Sequence, residues 1–145
     1  MAASAWSFFN EAKKYLMTHT SGIDPSGDQF YVSLHTSAWT PDATLSTYAS
    51  IANEVANANG YTTGGKSVTT TWASGASASE WRFTFTNSLF WSANGGAISA
   101  IRYAVVRESG GKALCYAPLS TAQFSVTDTN RLTVAAAANG VFELN

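Results

Sequence analysis

Ile98 to Arg107 constrains the fold more than any other stretch of the chain. Its ten residues, ISAIRYAVVR, are largely apolar on both alternating faces, the pattern of a strand covered on two sides. Glu108-Ser109-Gly110-Gly111 then supplies turn chemistry, and Lys112 to Pro118 reads as the return strand of a hairpin. A central strand of this kind needs neighbours to fill its ladder and a second layer to cover it. Candidates for both roles recur along the chain.

Trp81, Phe83 and Phe85 alternate with Arg82, Thr84 and Thr86, which predicts a strand with an aromatic inner face. Val68 to Trp72, Leu89 to Trp91, Phe124 to Val126, Leu132 to Val134 and Val141 to Leu144 read as further short strands. Turn residues separate them at roughly ten-residue intervals, the rhythm of an all-β sandwich. Trp81, Phe83, Phe85, Ile101, Tyr103 and Val105 are expected in the core, on the alternation of faces. Ala73 to Ser79 reads as an exposed loop.

The N-terminal segment is different. Trp6, Phe9, Leu16 and Met17 recur at helical spacing, and Ser4 is a candidate N-cap, so an amphipathic helix is predicted over about residues 4–18. Phe8 and Tyr15 form a second apolar stripe on it. Ser21 to Asp28 ends the helix with turn chemistry. The expected architecture is one domain, residues 1–145. A jelly-roll-like or Ig-like antiparallel β-sandwich over about 29–145 follows the helix.

Composition narrows the function. Only 12% of residues are charged, roughly half the usual share, which gives a neutral surface suited to lasting protein contacts. A soluble monomer with a Ser/Thr-rich exterior fits the same composition. The net charge of −1 without a basic run argues against nucleic-acid binding. No stretch is long enough to span a bilayer, and the charges at Glu11, Lys13 and Lys14 break any signal-peptide pattern. The chain is therefore expected to be made and kept in a cytoplasm. Cys115, the single cysteine, reads as a buried apolar residue. His19 and His35 are the only histidines, and no Ser/His/Asp set, metal cluster or carboxylate pair assembles from the sequence. Asp24 and Asp28 are read as a solvated loop pair rather than a metal site. No enzyme activity and no cofactor are expected.

One long loop stands out, between the strand Phe30 to His35 and the β-branched run at Val68. Loops of that length in compact domains usually interact or carry function. Tyr48, Ile51, Ala52 and Val55 have helical spacing, with Thr47 as a cap, and predict a short helix or irregular turn. Glu54, the lone charge between Asp42 and Lys66, is expected to accept backbone hydrogen bonds or to pair with an arginine. Gly60 to Ser67 matches the phosphate-loop spacing G-x-x-x-x-G-K-[ST]. Polar Asn57-Ala58-Asn59 precedes it and Val68-Thr69-Thr70-Thr71 follows, so the buried strand and following helix that such a site needs are not predicted.

Several segments together carry a resemblance. They are the aromatic N-terminal helix, Val32 to Ser37 with Trp39-Thr40-Pro41-Asp42, and Tyr48. Glu54-Val55, Gly60 to Gly65, the hairpin from Ile98 and the closing Asn139 to Leu144 continue it. The chain resembles a family of small virion proteins of tailed bacteriophages, with Ala56 to Asn59 replacing a shorter, glycine-bearing spacer. The resemblance implies a non-catalytic particle component, foremost a head decoration (cement) protein on the capsid exterior. Its implied partners are the major capsid protein and itself, as a homotrimer. A tail or neck component is the alternative within the class. Outside it stands a carbohydrate-binding sandwich using Trp39, Trp72 or Trp91. The expected contact residues are Phe8, Tyr15, Trp39, Tyr48, Glu54, Gly60, Tyr61, Gly64, Gly65 and Lys66.

Overall fold

The computed structural model describes residues 5–18, 22–75, 77, 79–87, 89–136 and 140–144. The chain is built from antiparallel sheets in a sandwich-like arrangement with one short helix near its N-terminus. Its elements in order are β1 (Ser7–Phe8), α1 (Asn10–Met17), β2 (Phe30–Thr36), β3 (Lys66–Val68), β4 (Thr70–Ser74), β5 (Trp81–Phe85), β6 (Leu89–Ser92), β7 (Ile98–Glu108), β8 (Ala113–Pro118), β9 (Phe124–Val126), β10 (Arg131–Val134) and β11 (Phe142–Leu144). The main sheet runs β1-β8-β7-β2-β3, and β9 also pairs with β7. β11-β5-β4 forms a second sheet and β10-β6 a two-stranded third.

β7 is the central strand its composition calls for. β2 pairs with it from Phe30↔Glu108 to Thr36↔Ile101, and β8 pairs on the other side from Tyr103↔Pro118 to Arg107↔Ala113. Ile101, Ala104, Val105 and Val106 are fully buried. The second sheet covers the first through aromatic pairs. Phe30 meets Phe83 at 4.9 Å between ring centroids, Phe8 meets Phe142 at 4.7 Å, and Trp6 meets Phe85 at 5.9 Å. These edge-on contacts add to the burial itself. The chain passes between sheets at Thr69, the break between β3 and β4, where Thr69 accepts a hydrogen bond from the Thr86 amide.

Five expectations need correction. The helix starts at Asn10, because Ser7 and Phe8 pair as a strand with Tyr116 and Cys115 on β8. Phe8 therefore lies on a sheet, apart from Tyr15, while Ser4 lies outside the described residues. Met17 points to solvent with 85% exposure rather than joining the docking face, which Phe9 and Ala12 supply. Trp81 is 47% exposed, since it closes the end of β5 where no further layer reaches; it stacks on Trp72 at 5.8 Å. Phe85 is half-buried, and Ala73 and Ser74 continue β4 instead of starting a loop. Phe83, Ile101, Tyr103 and Val105 are core residues, and Cys115 is buried within β8, where burial pushes its thiol up.

Candidate functional site

The loop after β2 does not hang free. It is laced to the body on both sides. Thr36 and Asn53, and Val55 and Leu34, share backbone hydrogen bonds of 2.9 Å, so that Glu54 bridges His35 as a short extra rung. Farther back, the Tyr48 amide donates to Gly111 at 2.7 Å and the Ala113 amide to Ser46 at 3.1 Å. The helix-like spacing around Tyr48 yields only one 3-10 turn, Tyr48–Ser50.

Glu54 organises the interior of this loop. One carboxylate oxygen accepts from the Tyr61 hydroxyl at 2.5 Å and the Gly64 amide at 2.7 Å, and the other accepts from the Tyr48 hydroxyl. The Tyr61 hydroxyl in turn accepts from the Leu34 amide at 3.0 Å, tying the loop to β2. Burial and the neighbouring carboxylate push both tyrosine hydroxyls above their ordinary range, so they stay protonated as donors. Arg107 completes the arrangement. Its guanidinium lies between the Tyr31 and Tyr48 rings, 4.6 and 4.4 Å from their centroids, and donates to the Gly64 carbonyl at 3.1 Å. Glu54 thus meets a backbone amide, as expected. The arginine reaches the same loop through its backbone and ring faces.

His35 lies fully buried beneath. Its Nδ1 faces the Ala52 carbonyl at 3.0 Å, and a carbonyl only accepts, so Nδ1 carries the proton. Nε2 then accepts from the Ser33 hydroxyl at 3.0 Å. Burial holds the ring's pKa below its usual value, with the Ala52 hydrogen bond and Glu54 opposing that shift. Nδ1 holds the loop through Ala52, and Nε2 is taken up by Ser33 on β2 itself.

Two glycines set the loop's shape. A Cβ on Gly60 would stand 2.1 Å from the Ser92 carbonyl oxygen, and one on Gly65 would stand 2.0 Å from that of Val32. Both have positive φ. Their close approach is to this chain's own backbone. β3 begins at Lys66, so a strand follows the phosphate-loop spacing where a nucleotide site would need a helix. Lys66 Nζ donates to the Phe90 carbonyl at 2.8 Å.

Of the ten residues expected at a contact surface, Trp39 and Tyr61 belong to the interior, at 4% and 2% exposure. Trp39 meets Tyr103, Tyr116 and His35 through its ring, and Tyr61 spends its hydroxyl on Glu54. Gly60 and Lys66 are exposed; Phe8, Tyr15, Tyr48, Glu54, Gly64 and Gly65 are half-buried. The loop gathers Tyr48, Glu54, Tyr61 and Gly64 into one hydrogen-bonded group, while Phe8 faces Phe142 and Tyr15 faces Lys112 elsewhere. Sequence reasoning missed Arg107 and Tyr31, although Tyr31 and Arg107 are direct partners in the β2–β7 register.

Among the described residues no group of three His, Cys, Asp or Glu side chains could hold a metal. Asp24 instead accepts from the Ser26 amide and hydroxyl, and Asp28 from the Asp24 amide. No helix among them is long and apolar enough to cross a membrane. With three donors on its carboxylate, Glu54 acts as a structural acceptor; the arrangement's chemistry is to fix a loop. No protein-family model matches the chain, and no curated protein or solved structure matches it at a significant level.

Proposed function

We propose that this protein is a structural component of a tailed-phage particle, a decoration (cement) protein that binds the major capsid lattice from outside. The observation that carries the reading is the Glu54-centred locking of the loop, since a surface ordered beforehand avoids an entropy cost at the moment of binding. The low charge and the resemblance across most of the chain support the same reading. A protein that binds only the assembled shell stabilises it by mass action, without catalysis or cofactor. The contact surface is formed by the outward parts of Tyr15, Tyr48, Gly60, Gly64 and Lys66, and the working form is a homo-oligomer, a trimer by the family resemblance. Nucleic acid and membrane have no part in this reading.

The test is the occupancy of the protein on purified particles, located by labelling. Labelling on the head supports the proposal. Labelling confined to the tail or neck refutes decoration in favour of the tail or neck alternative. The carbohydrate-binding alternative loses ground because Trp39 and Trp91 are buried, leaving only Trp72, half-covered by its stacking on Trp81.

A further inference from the structure

Nitrogens of a guanidinium that are taken away from water are costly unless they donate to something. Arg102 on β7 breaks that rule. It is half-buried, its Nε is shielded from water, and that Nε has no hydrogen-bond partner among the described residues. The ion pairs among those residues are Lys14–Glu11, Arg82–Glu143 and Lys112–Glu108, so Arg102 belongs to none of them. Its guanidinium carbon lies 5.2 Å from the centroid of the Tyr103 ring, a contact that holds the fork without using its donors. Arg107 makes the contrast. Its Nε is also without a partner, but its terminal nitrogens donate to the Gly64 and Glu108 carbonyls.

Arg102 lines a cleft of about 380 Å³ together with Tyr103, Pro118, Ser120 and Thr121, and the wall they form is mostly apolar. Tyr103 and Pro118 are partners in the β7–β8 register, and the Leu119 amide donates to the Arg102 carbonyl at 2.8 Å. The wall is therefore part of the main sheet's ladder. Ser120 and Thr121 follow directly after β8. The Ser120 hydroxyl oxygen accepts from the Ala122 amide at 3.4 Å, which leaves its proton to donate. The cleft thus offers a planar cationic fork, a hydroxyl donor, and a ring and a proline as apolar wall.

We infer that this cleft takes a carboxylate on a short apolar stem, an acidic side chain of a partner protein. The fork suits the two oxygens of a carboxylate, which accept parallel hydrogen bonds from it, and the stem lies against Tyr103 and Pro118. A phosphate group carries more charge than one cation in an apolar cleft compensates, and a nucleic acid needs a row of cations. All five lining residues come from two neighbouring segments, so a free acid would stay open to water. A protein that carries the acid covers the cleft with its own surface. Which protein this is rests on the proposed function, where it is the major capsid protein.

Two measurements test this. The first uses the isolated protein and sodium propionate, which has the carboxylate and stem of a glutamate side chain. In proton–nitrogen spectra the Arg102 Nε–H signal shifts with propionate and saturates, and it stays in place in sodium chloride of equal ionic strength. A signal that does not move, or that moves equally in chloride, overturns the site; a larger response to inorganic phosphate overturns its assignment to a carboxylate. The second is binding to purified particles. Arg102→Gln weakens it about 100-fold, because the partner's acid is left covered and unpaired, and Arg102→Lys, a charge without the fork, weakens it about 10-fold. Both variants keep the wild-type urea midpoint, since the side chain donates to nothing among the described residues; a lowered midpoint would make Arg102 structural and overturn the inference. Variants that bind particles like the wild type, with the propionate shift present, assign the cleft to a free acid and overturn the partner. A wild type that responds to propionate but ignores particles refutes the decoration reading alone, and the carboxylate site stands.

Discussion

Replacing Glu54 by alanine is the sharpest perturbation of this molecule. It strands three donors at once: the Tyr48 hydroxyl, the Tyr61 hydroxyl and the Gly64 amide. A hydrogen bond to a charged group contributes about 1.5–3 kcal/mol, and a buried donor left unmade costs about 1–3 kcal/mol. Glu54 is half-buried and water reaches part of the site, so the low end applies and the three bonds do not add fully. The expected loss for Glu54→Ala is about 3–5 kcal/mol, with Glu54→Gln costing less, about 2 kcal/mol. Glutamine keeps one acceptor oxygen but turns an amino group toward groups that are themselves donors. Urea unfolding followed by tryptophan fluorescence measures both. Tyr61→Phe should cost about 1–2 kcal/mol, because it also orphans the Leu34 amide, and the double variant should show a coupling of about 1 kcal/mol or more. A Glu54→Ala loss below about 1 kcal/mol, or strict additivity with Tyr61→Phe, would refute the idea that this carboxylate holds the loop.

Four further outcomes are expected. Phe83→Ala should lower stability by about 3–5 kcal/mol in the same unfolding assay, since Phe83 is fully buried between Phe30 and Phe142. Gly65→Ala should destabilise more than Gly64→Ala by about 1 kcal/mol or more; both have positive φ, but only at Gly65 does a Cβ strike the backbone, the other meeting the Arg107 side chain at 3.6 Å. His35 binds its proton more weakly folded than unfolded, so the unfolded state takes up more protons as pH falls below about 6.5; melting temperature should drop from pH 7 to pH 5, and His35→Gln should flatten that slope. Calorimetry should detect no micromolar ATP binding, and binding that Lys66→Ala abolished would contradict the strand that follows the glycine loop.

Much of the sheet structure was legible because alternation is a local signal. Phe30 to His35, Trp81 to Phe85 and Ile98 to Arg107 each announce a strand within their own residues, and each is one. What alternation leaves open is which face another part of the chain will cover. Tyr31, Ser33 and His35 alternate with the apolar face Phe30, Val32 and Leu34, yet Ser33 and His35 are fully buried beneath the loop. Trp81 carries the same inward signal as Phe83 but ends its strand where covering stops. Trp6 to Phe9 has helical spacing, and pairing of Ser7 and Phe8 with β8 overrides it. At the candidate site, Glu54's need for donors followed from its isolation in a neutral stretch. The identity of two of those donors as tyrosine hydroxyls followed only from the folded path of the loop.

The place of β7 in the main sheet also governs the order in which the molecule can form. β1, β2 and β3 belong to the first half of the chain, yet the sheet they join is built on β7 and β8, from Ile98 to Pro118. On a ribosome, β2 with its Phe30, Val32 and Leu34 emerges long before its β7 partner, and β1 waits longer still for Cys115 and Tyr116. Pairings so distant along the chain close slowly, and the exposed strands are open to wrong partners meanwhile. Truncated translation products lacking Ile98 to Pro118 should therefore be recovered as aggregates or bound to chaperones, while release of the complete chain is followed by folding of the whole sheet in one step.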